Sequence, residues 1–382
     1  MNSKNKEVNY LVHLMACALN EKKPQVLSED IDFSVLLELA KKHQIYNMIF
    51  PVISNMENVP EEEKENWRNY NLTEIAKMLT VNSERQIIYD ELTENKIKFM
   101  ALKGLILKNY YPKESMRQMS DNDILVDPKK RDLIFEIMKR HNYKISSTCE
   151  NSDDFLKSPF CAFEFHRDLF FDECEFHPHF NYVWDNAVVD EENPYMYYMN
   201  LNDVYVHSVC HMYKHFSTAG CGVRFLADIY VFLKKEKDNL DWNYVNNWFS
   251  EYGILEYEKE SRELAFKLFD EEELNDKQME LFQTYMNFGI YGNGNVAITR
   301  RINKLVENDN SSLKTAKTKY LLKRLFPSKS LMVQNYRVLE KKPYLLPFYY
   351  VARLFKGLFE SKKVINEVKL VNDFESENNK TK

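Results

Sequence analysis

The sequence predicts an α+β protein in which a small mixed β-sheet is surrounded by N- and C-terminal helices. Apolar residues recur at helical spacing before residue 95 and again after residue 200, whereas the segment between carries short alternating runs. The chain has 382 residues, and 44% of them are hydrophobic, which is ample for a buried core. Only 8 glycines and 11 prolines leave few tight turns, which argues against an all-β sandwich or barrel.

These periods divide the chain into four parts. An N-terminal helical region covers 1–95, an α/β core 96–185 and a C-terminal helical region 186–365, before a polar, disordered tail at 366–382. Pro60, followed by three glutamates, marks a helix start because acidic side chains suit the positive end of the helix dipole. Helices are predicted in the C-terminal region at 203–216, 223–235, 241–251, 254–269, 275–288, 313–325 and 344–359.

The core is predicted as alternating strands and helices. Strands are expected at 97–101, 123–126, 143–147 and 160–165, and the stretch 168–180 is a candidate for one more. A helix should run from Pro128 to about His141.

Charge, cysteine usage and hydropathy limit the classes of partner and metal site that the sequence supports. The net charge of −6 allows nucleic acid as a partner through a local basic patch but does not indicate it. The six cysteines form no Cys-x-x-Cys pair, which argues against structural zinc and favours reduced cytosolic thiols. The N-terminus is polar and no window of about 18 apolar residues occurs, so we expect a cytoplasmic protein without a membrane partner.

The main candidate for chemistry is the run from Ser120 to Val126. Asp121 and Asp123 are two residues apart on an extended chain, so their carboxylates point to the same side. Hard divalent cations prefer such oxygen ligands and keep positions for substrate phosphates. The spacing therefore predicts a cation site that the following apolar strand holds rigidly.

A later strand offers a third carboxylate. Glu164 and His166 share one face of the predicted strand, and the phenylalanines beside them share the other. Glu164 could bind the cation or accept a proton from the attacking nucleophile. An ordinary exposed strand face would show the same pattern.

Several motifs together resemble the bacterial uncharacterised nucleotidyltransferase family, within the DNA-polymerase-beta-like nucleotidyltransferase superfamily. The resemblance covers about 95–360 and rests on Leu102-Lys103-Gly104, Arg117, Ser120 to Val126, Glu164-Phe165-His166, His211 to Phe216 and Gly222-Val223-Arg224 with Asp228. It implies transfer of a nucleoside monophosphate from an NTP, most readily ATP, to an unknown acceptor. It also implies Mg²⁺ or Mn²⁺ at Asp121, Asp123 and Glu164. Substrate and phosphate contacts are expected from Lys103, Gly104, Arg117, Ser120, His166, His211, Lys214, His215 and Arg224.

One departure from the superfamily pattern concerns the phosphate-binding turn. Many members place Ser or Gly after the first glycine, whereas Leu105 follows Gly104 here. Gly104 still permits close backbone approach to phosphate, and Lys103 and Arg117 supply charge.

A histidine stripe lies further along the chain. His207, His211 and His215 are four residues apart and share one helix face. Three interpretations stay open: a substrate or phosphate contact together with Lys214 and Arg224, a structural polar network, or a zinc site.

The residues also leave alternatives for function. The same fold could bind nucleotide or a partner protein without turnover, or the carboxylates could serve a metal-dependent phosphohydrolase with water as nucleophile. Because clustered carboxylates repel one another without a cation, Asp121→Asn and Asp123→Asn are both expected to leave metal-free stability undiminished.

Overall fold

The computed structural model describes residues 6–25, 31–149, 151–170, 174–180, 182–290, 292–309, 312–336, 338–359 and 371. The predicted disordered tail at 366–382 lies outside these residues except for Val371. Among the described residues, no helix is both long and apolar enough to cross a membrane.

The N-terminal region is helical, as predicted. Its four helices are α1 (Lys6–Asn20), α2 (Phe33–His43), α3 (Tyr46–Ile53) and α4 (Glu61–Glu94). Helix α4 begins directly after Pro60 and carries three glutamates in its first turn. This confirms the helix start inferred from the acidic run.

The central region supplies a mixed sheet and short helices. Its elements are β1 (Phe99–Ala101), α5 (Gly104–Leu107), β2 (Asn122–Val126), α6 (Arg131–Arg140), β3 (Lys144–Thr148), β4 (Ser152–Lys157), β5 (Cys161–His166), α7 (His177–Phe180), β6 (Val188–Val189) and β7 (Met196–Tyr198). The predicted strand at 168–180 is wrong in its described part, because residues 174–180 form a turn and α7.

The helices after the sheet follow the predicted periodicity closely. They are α8 (Leu201–Thr218), α9 (Arg224–Glu236), α10 (Trp242–Glu251), α11 (Leu255–Phe269), α12 (Asp276–Phe288), α13 (Gly294–Asp309), α14 (Leu313–Leu325), α15 (Lys329–Asn335), α16 (Val338–Lys341) and α17 (Leu346–Phe359). Of the longer helices, α13 was not predicted.

The sheet has seven strands in the order β3-β4-β5-β2-β1-β7-β6. Pairs β2–β5 and β1–β7 are parallel, whereas β1–β2, β4–β5 and β6–β7 are antiparallel. The mixed sheet with helices on either side along the chain confirms the α+β class. Strands β6 and β7 extend the sheet beyond residue 185, where the predicted core ends.

One face of the central strands forms the main apolar core. Phe163 and Phe165 of β5 stack with ring centroids 5.9 Å apart, beside Ile124 and Val126 of β2. Apolar residues of α4 and α6 cover this face, including Ile88, Leu92, Ile134 and Ile137. Because side chains alternate along a strand, Asp123 and Glu164 point to the opposite face.

The chain divides into two compact units. The first comprises Met1–Ser146, Asn151–Lys214 and Cys221–Ile290, and the second Ser147–Glu150, His215–Gly220 and Tyr291–Lys382. In the second unit, Ile302 of α13 packs with Ala316 and Tyr320 of α14 and with Val371.

Candidate metal and phosphate site

Strand register brings two of the three predicted carboxylates, Asp123 and Glu164, together, whereas Asp121 precedes β2. In the parallel pair β2–β5, Asp123 lies directly opposite Glu164, and Leu125 lies opposite His166. Side chains opposite each other on neighbouring strands share a face. One ligand atom from each of Asp123, Glu164 and His166 lies within 4.8 Å of the others.

The Lys103 ammonium lies among these three side chains. Its Nζ donates to Oδ1 of Asp123 at 2.6 Å and lies 3.3 Å from Nε2 of His166 and 3.9 Å from Oε2 of Glu164. The Lys103 backbone has φ 48° and ψ −117°, a conformation that costs a residue with a side chain about 1–3 kcal/mol. The turn between β1 and α5 thus holds a positive charge over the carboxylates at some conformational cost.

His166 links the two strands through its imidazole. Nε2 lies 2.9 Å from Oδ1 of Asp123 and 3.5 Å from Oε1 of Glu164. Burial and the Lys103 charge disfavour the imidazolium, yet the two carboxylates outweigh them and raise the pKa of His166. The other ring nitrogen, Nδ1, is buried without a hydrogen-bond partner among the described residues.

The two aspartates of the motif differ in electrostatics. Burial opposes ionisation of Asp123, but Lys103 and His166 outweigh burial and hold its pKa well below the usual range. Burial and the neighbouring Asp123 charge together raise the pKa of Asp121 to about 7. Asp123 is therefore ionised and paired, whereas Asp121 bears the repulsion of the cluster.

This difference corrects the expectation that neither asparagine substitution lowers metal-free stability. That expectation treated both carboxylates as repelled, but Asp123 is held by an ammonium and an imidazole. The expectation that an asparagine substitution leaves metal-free stability undiminished stays a prediction for Asp121 alone.

Glu164 is the more accessible carboxylate. Its side chain is 25% exposed, against 9% for Asp123. Burial raises its pKa, but the His166 hydrogen bond and the charges of His166 and Lys103 lower it overall. Glu164 is thus ionised at neutral pH and open to solvent on one side.

A further acidic residue lies in the same row. Asp154 of β4 is opposite Glu164 in the antiparallel pair β4–β5. Asp123, Glu164 and Asp154 therefore occupy one register line across three strands. Asp154 was not predicted as a site residue because β4 was not predicted, although the polar Asp154 beside the apolar Phe155 is a signal typical of a strand.

The donor set fits a divalent cation. Asp123 and Glu164 provide ionised oxygen ligands, which Mg²⁺ prefers, and an imidazole nitrogen beside them also suits Mn²⁺. The imidazole nitrogen that faces both carboxylates is Nε2, so Nε2 is the atom of His166 that would join them around a cation.

Helix α8 brings His207 to this face of the sheet. His207 is 2% exposed, and its ring contacts Phe170 and Phe180 edge-on at 5.6 Å. Burial, then the charges of Lys103 and His166, lower its pKa to about 3. His207 thus lies close enough to the cluster to sense its charges and stays neutral. It was recognised in the histidine stripe but not included among the site residues.

The other two histidines of the stripe, His211 and His215, lie further along α8. The ring of His211 lies 6.4 Å from that of His207 and 6.1 Å from that of Phe225. Lys214 adds positive charge that disfavours the imidazolium of His207. His215 belongs to the second unit. Phosphate contacts by His211, Lys214, His215 and Ser120 stay predictions.

Arg117 is bound by a protein carboxylate. Its Nε and one terminal nitrogen donate to the two oxygens of Asp228 at 2.7 and 2.8 Å, and the Tyr111 hydroxyl donates to the same carboxylate at 2.7 Å. A Cβ on Gly104 would collide with the Arg117 guanidinium. The lack of a side chain at Gly104 therefore leaves room for the Arg117 guanidinium in the position where Asp228 binds it.

Arg224 likewise has protein partners. One terminal nitrogen donates to Oε1 of Gln44 at 2.7 Å and to the Gln118 carbonyl at 2.9 Å. Arg224 is 8% exposed and ties α9 to the segment that precedes Asp121. Its contacts hold that segment in place.

The family comparison agrees with this geometry. The model of a family described as "Uncharacterised nucleotidyltransferase" matches residues 29–270, well over half of the chain. The chain belongs to this family. The match includes the sheet, the carboxylate cluster and α8, so a nucleotidyltransferase-type function is supported. No curated protein matches the chain.

Proposed function

We propose that this nucleotidyltransferase-family protein moves a nucleoside monophosphate from an NTP, most readily ATP, to an acceptor in a metal-dependent reaction. One observation carries the proposal: Asp123, Glu164 and His166 converge where the Lys103 ammonium already lies between the two carboxylates. Converging ionised carboxylate oxygens are the ligands that a divalent cation prefers.

The proposed cation is Mg²⁺ or Mn²⁺, with Asp123 and Glu164 as ligands and Asp121 joining them. When bound, it would neutralise phosphate charge and stabilise the attacking and leaving oxygens. Positive charge near Asp121 would favour its ionised form, since its pKa of about 7 reflects burial and repulsion.

Side chains of the protein would orient the phosphates and accept the proton. Lys103 would attract and orient the phosphates, and His166 would keep Asp123 directed toward them through its 2.9 Å contact. Glu164, ionised and partly exposed, would accept the proton as the acceptor oxygen bonds to the α-phosphorus. The bond between the α- and β-phosphates then breaks, and pyrophosphate leaves.

An assay with NTPs labelled at the α-phosphate tests this function. We expect Mg²⁺-dependent label transfer or pyrophosphate release, lost with a chelator and lowered at least about 100-fold in Asp123→Asn and Glu164→Gln. Asp90→Asn is the matched control, because Asp90 is an exposed carboxylate on α4 that accepts from Gln86 at 2.8 Å. Inorganic phosphate release without transferred label would indicate a phosphohydrolase instead, and nucleotide binding without either product a binding module.

A further inference from the structure

The second unit carries a strongly basic segment. Between residues 310 and 359 the sequence has eleven lysines and arginines and one acidic residue, Glu340, although the whole chain has a net charge of −6. Lys341 and Lys342 are exposed. Such local charge suits an anionic partner.

Helix α17 closes this segment and presents an apolar stripe. Tyr344, just before the helix, and Phe348, Val351 and Phe355 follow one another at intervals of four, three and four residues, which places them on one face. Their exposed fractions are 70%, 71%, 51% and 60%. A helix of a water-soluble domain normally turns its most apolar face inward.

The opposite face of α17 explains why this stripe points outward. The ring of Tyr349 lies 4.5 Å from that of Tyr336, and the Tyr350 ring lies 5.8 Å from that of Phe326. The Tyr350 hydroxyl also donates to the Pro327 carbonyl at 2.6 Å. The helix is thus docked through two tyrosines, which leaves the face with Phe348, Val351 and Phe355 away from these contacts.

We propose that α17 and the basic segment around it form a peripheral docking surface for a membrane containing anionic lipids. An apolar helical face with aromatic residues, within a segment rich in lysine and arginine, is the pattern of helices that lie in the membrane interface. This proposal goes beyond the sequence expectation of no membrane partner, which rested on the lack of an apolar window long enough to span a membrane. A helix that lies in the membrane interface does not have to be long enough to cross the bilayer.

The aliphatic residues of this surface, rather than its aromatic ones, favour lipid over nucleic acid. Val351 and the neighbouring Leu354, which is 37% exposed, have no aromatic face on which a base could stack. Aliphatic side chains gain by entering the acyl boundary, while the lysines and arginines of the same segment attract anionic headgroups.

Vesicle sedimentation with the full-length protein tests the proposal. We expect wild type to bind phosphatidylcholine vesicles that contain about 30% phosphatidylglycerol, and to bind pure phosphatidylcholine at least about tenfold more weakly. The double variant Phe348→Ser, Phe355→Ser should lose about tenfold or more in partitioning. Lys341→Gln with Lys342→Gln should weaken binding most at low salt, where charges are least screened.

Leu79→Ser is the matched control, because Leu79 is 61% exposed on α4 in the first unit. It should bind vesicles like wild type. All changes lie on exposed side chains, so circular dichroism should show unchanged folding, and Phe348→Ser alone gives a milder version of the test. The proposal is overturned if wild type binds neither vesicle type, or if Leu79→Ser loses as much binding as the double variant. It is equally overturned if the apolar changes only dissociate a homodimer, or only weaken binding to RNA.

Discussion

At the scale of single residues, the two aspartates of the motif are alike in sequence but differ in their surroundings. The approach of Asp123 and Glu164 could be predicted from the sequence, whereas their role as cation ligands stays a prediction. The sequence could not show which aspartate pairs with a positive charge, because that pairing depends on Lys103. Lys103 lies twenty residues earlier in the chain, and an unusual backbone turn directs its ammonium at Asp123.

Asp121→Asn should stabilise the metal-free protein in a pH-dependent way. The folded pKa of Asp121 is raised from 3.8 to about 7, so wild type loses stability as pH rises through that window. The advantage of the variant should grow by up to about 1.4 kcal/mol per pH unit between pH 4 and 7 and level off above. Urea unfolding with a chelator at several pH values measures this, and an advantage independent of pH would exclude the proposed repulsion.

Asp123→Asn should have the opposite effect. The change leaves the Lys103 ammonium and the His166 imidazole without their shared carboxylate, which we expect to cost about 3 kcal/mol of unfolding free energy. Adding Lys103→Met should restore part of the loss, as a double-mutant cycle would show. Equal metal-free stabilities of Asp121→Asn and Asp123→Asn would contradict this electrostatic account.

At the scale of elements, most of the long periodic helices and the strands β1, β2, β3 and β5 were predicted, whereas β4, β6 and β7 were not. Strand β4 begins with Ser152, Asp153 and Asp154, a polar run that is typical of loops. These residues form a strand here because they pair with β5. Strands β6 and β7 have two and three residues, too few to establish a period. Strand β7 forms by pairing with β1, and β6 by pairing with β7, a tertiary effect that local sequence does not encode.

The Arg117–Asp228 pair joins α9 to the segment before β2, so its loss should act on stability. Arg117→Ala should lower the unfolding free energy by about 3–5 kcal/mol because it leaves a buried carboxylate unpaired. Arg117→Met with Asp228→Leu should recover most of that loss while keeping nucleotide affinity. A double variant that is stable but no longer binds NTP would instead show that Arg117 contacts phosphate.

At the scale of the whole molecule, total charge conceals an uneven distribution. The net charge of −6 gave no reason to expect an anionic partner, yet the segment 310–359 is strongly basic. The family match ends at residue 270, so this segment lies outside it. Sequence periodicity predicted α14 and α17 but could not show which face of α17 is covered, since that depends on how Tyr349 and Tyr350 pack.

Thermal stability should report ligand binding by the whole protein. A cation that binds only the folded state at 100 times its dissociation constant adds about 2.7 kcal/mol. We expect Mg²⁺ or Mn²⁺ to raise the melting temperature, and NTP with the metal to raise it further. Asp90→Asn should respond like wild type, and an equal response in Asp123→Asn would place the cation elsewhere.

The most direct test of the central claim is calorimetric titration of Mn²⁺ into protein saturated with a non-hydrolysable ATP analogue. The geometry of Asp123 and Glu164 predicts saturable binding in wild type and in Asp90→Asn, and affinity at least about tenfold lower in Asp123→Asn and Glu164→Gln. Wild-type affinity in both site variants would contradict the assignment of this cluster as the metal centre.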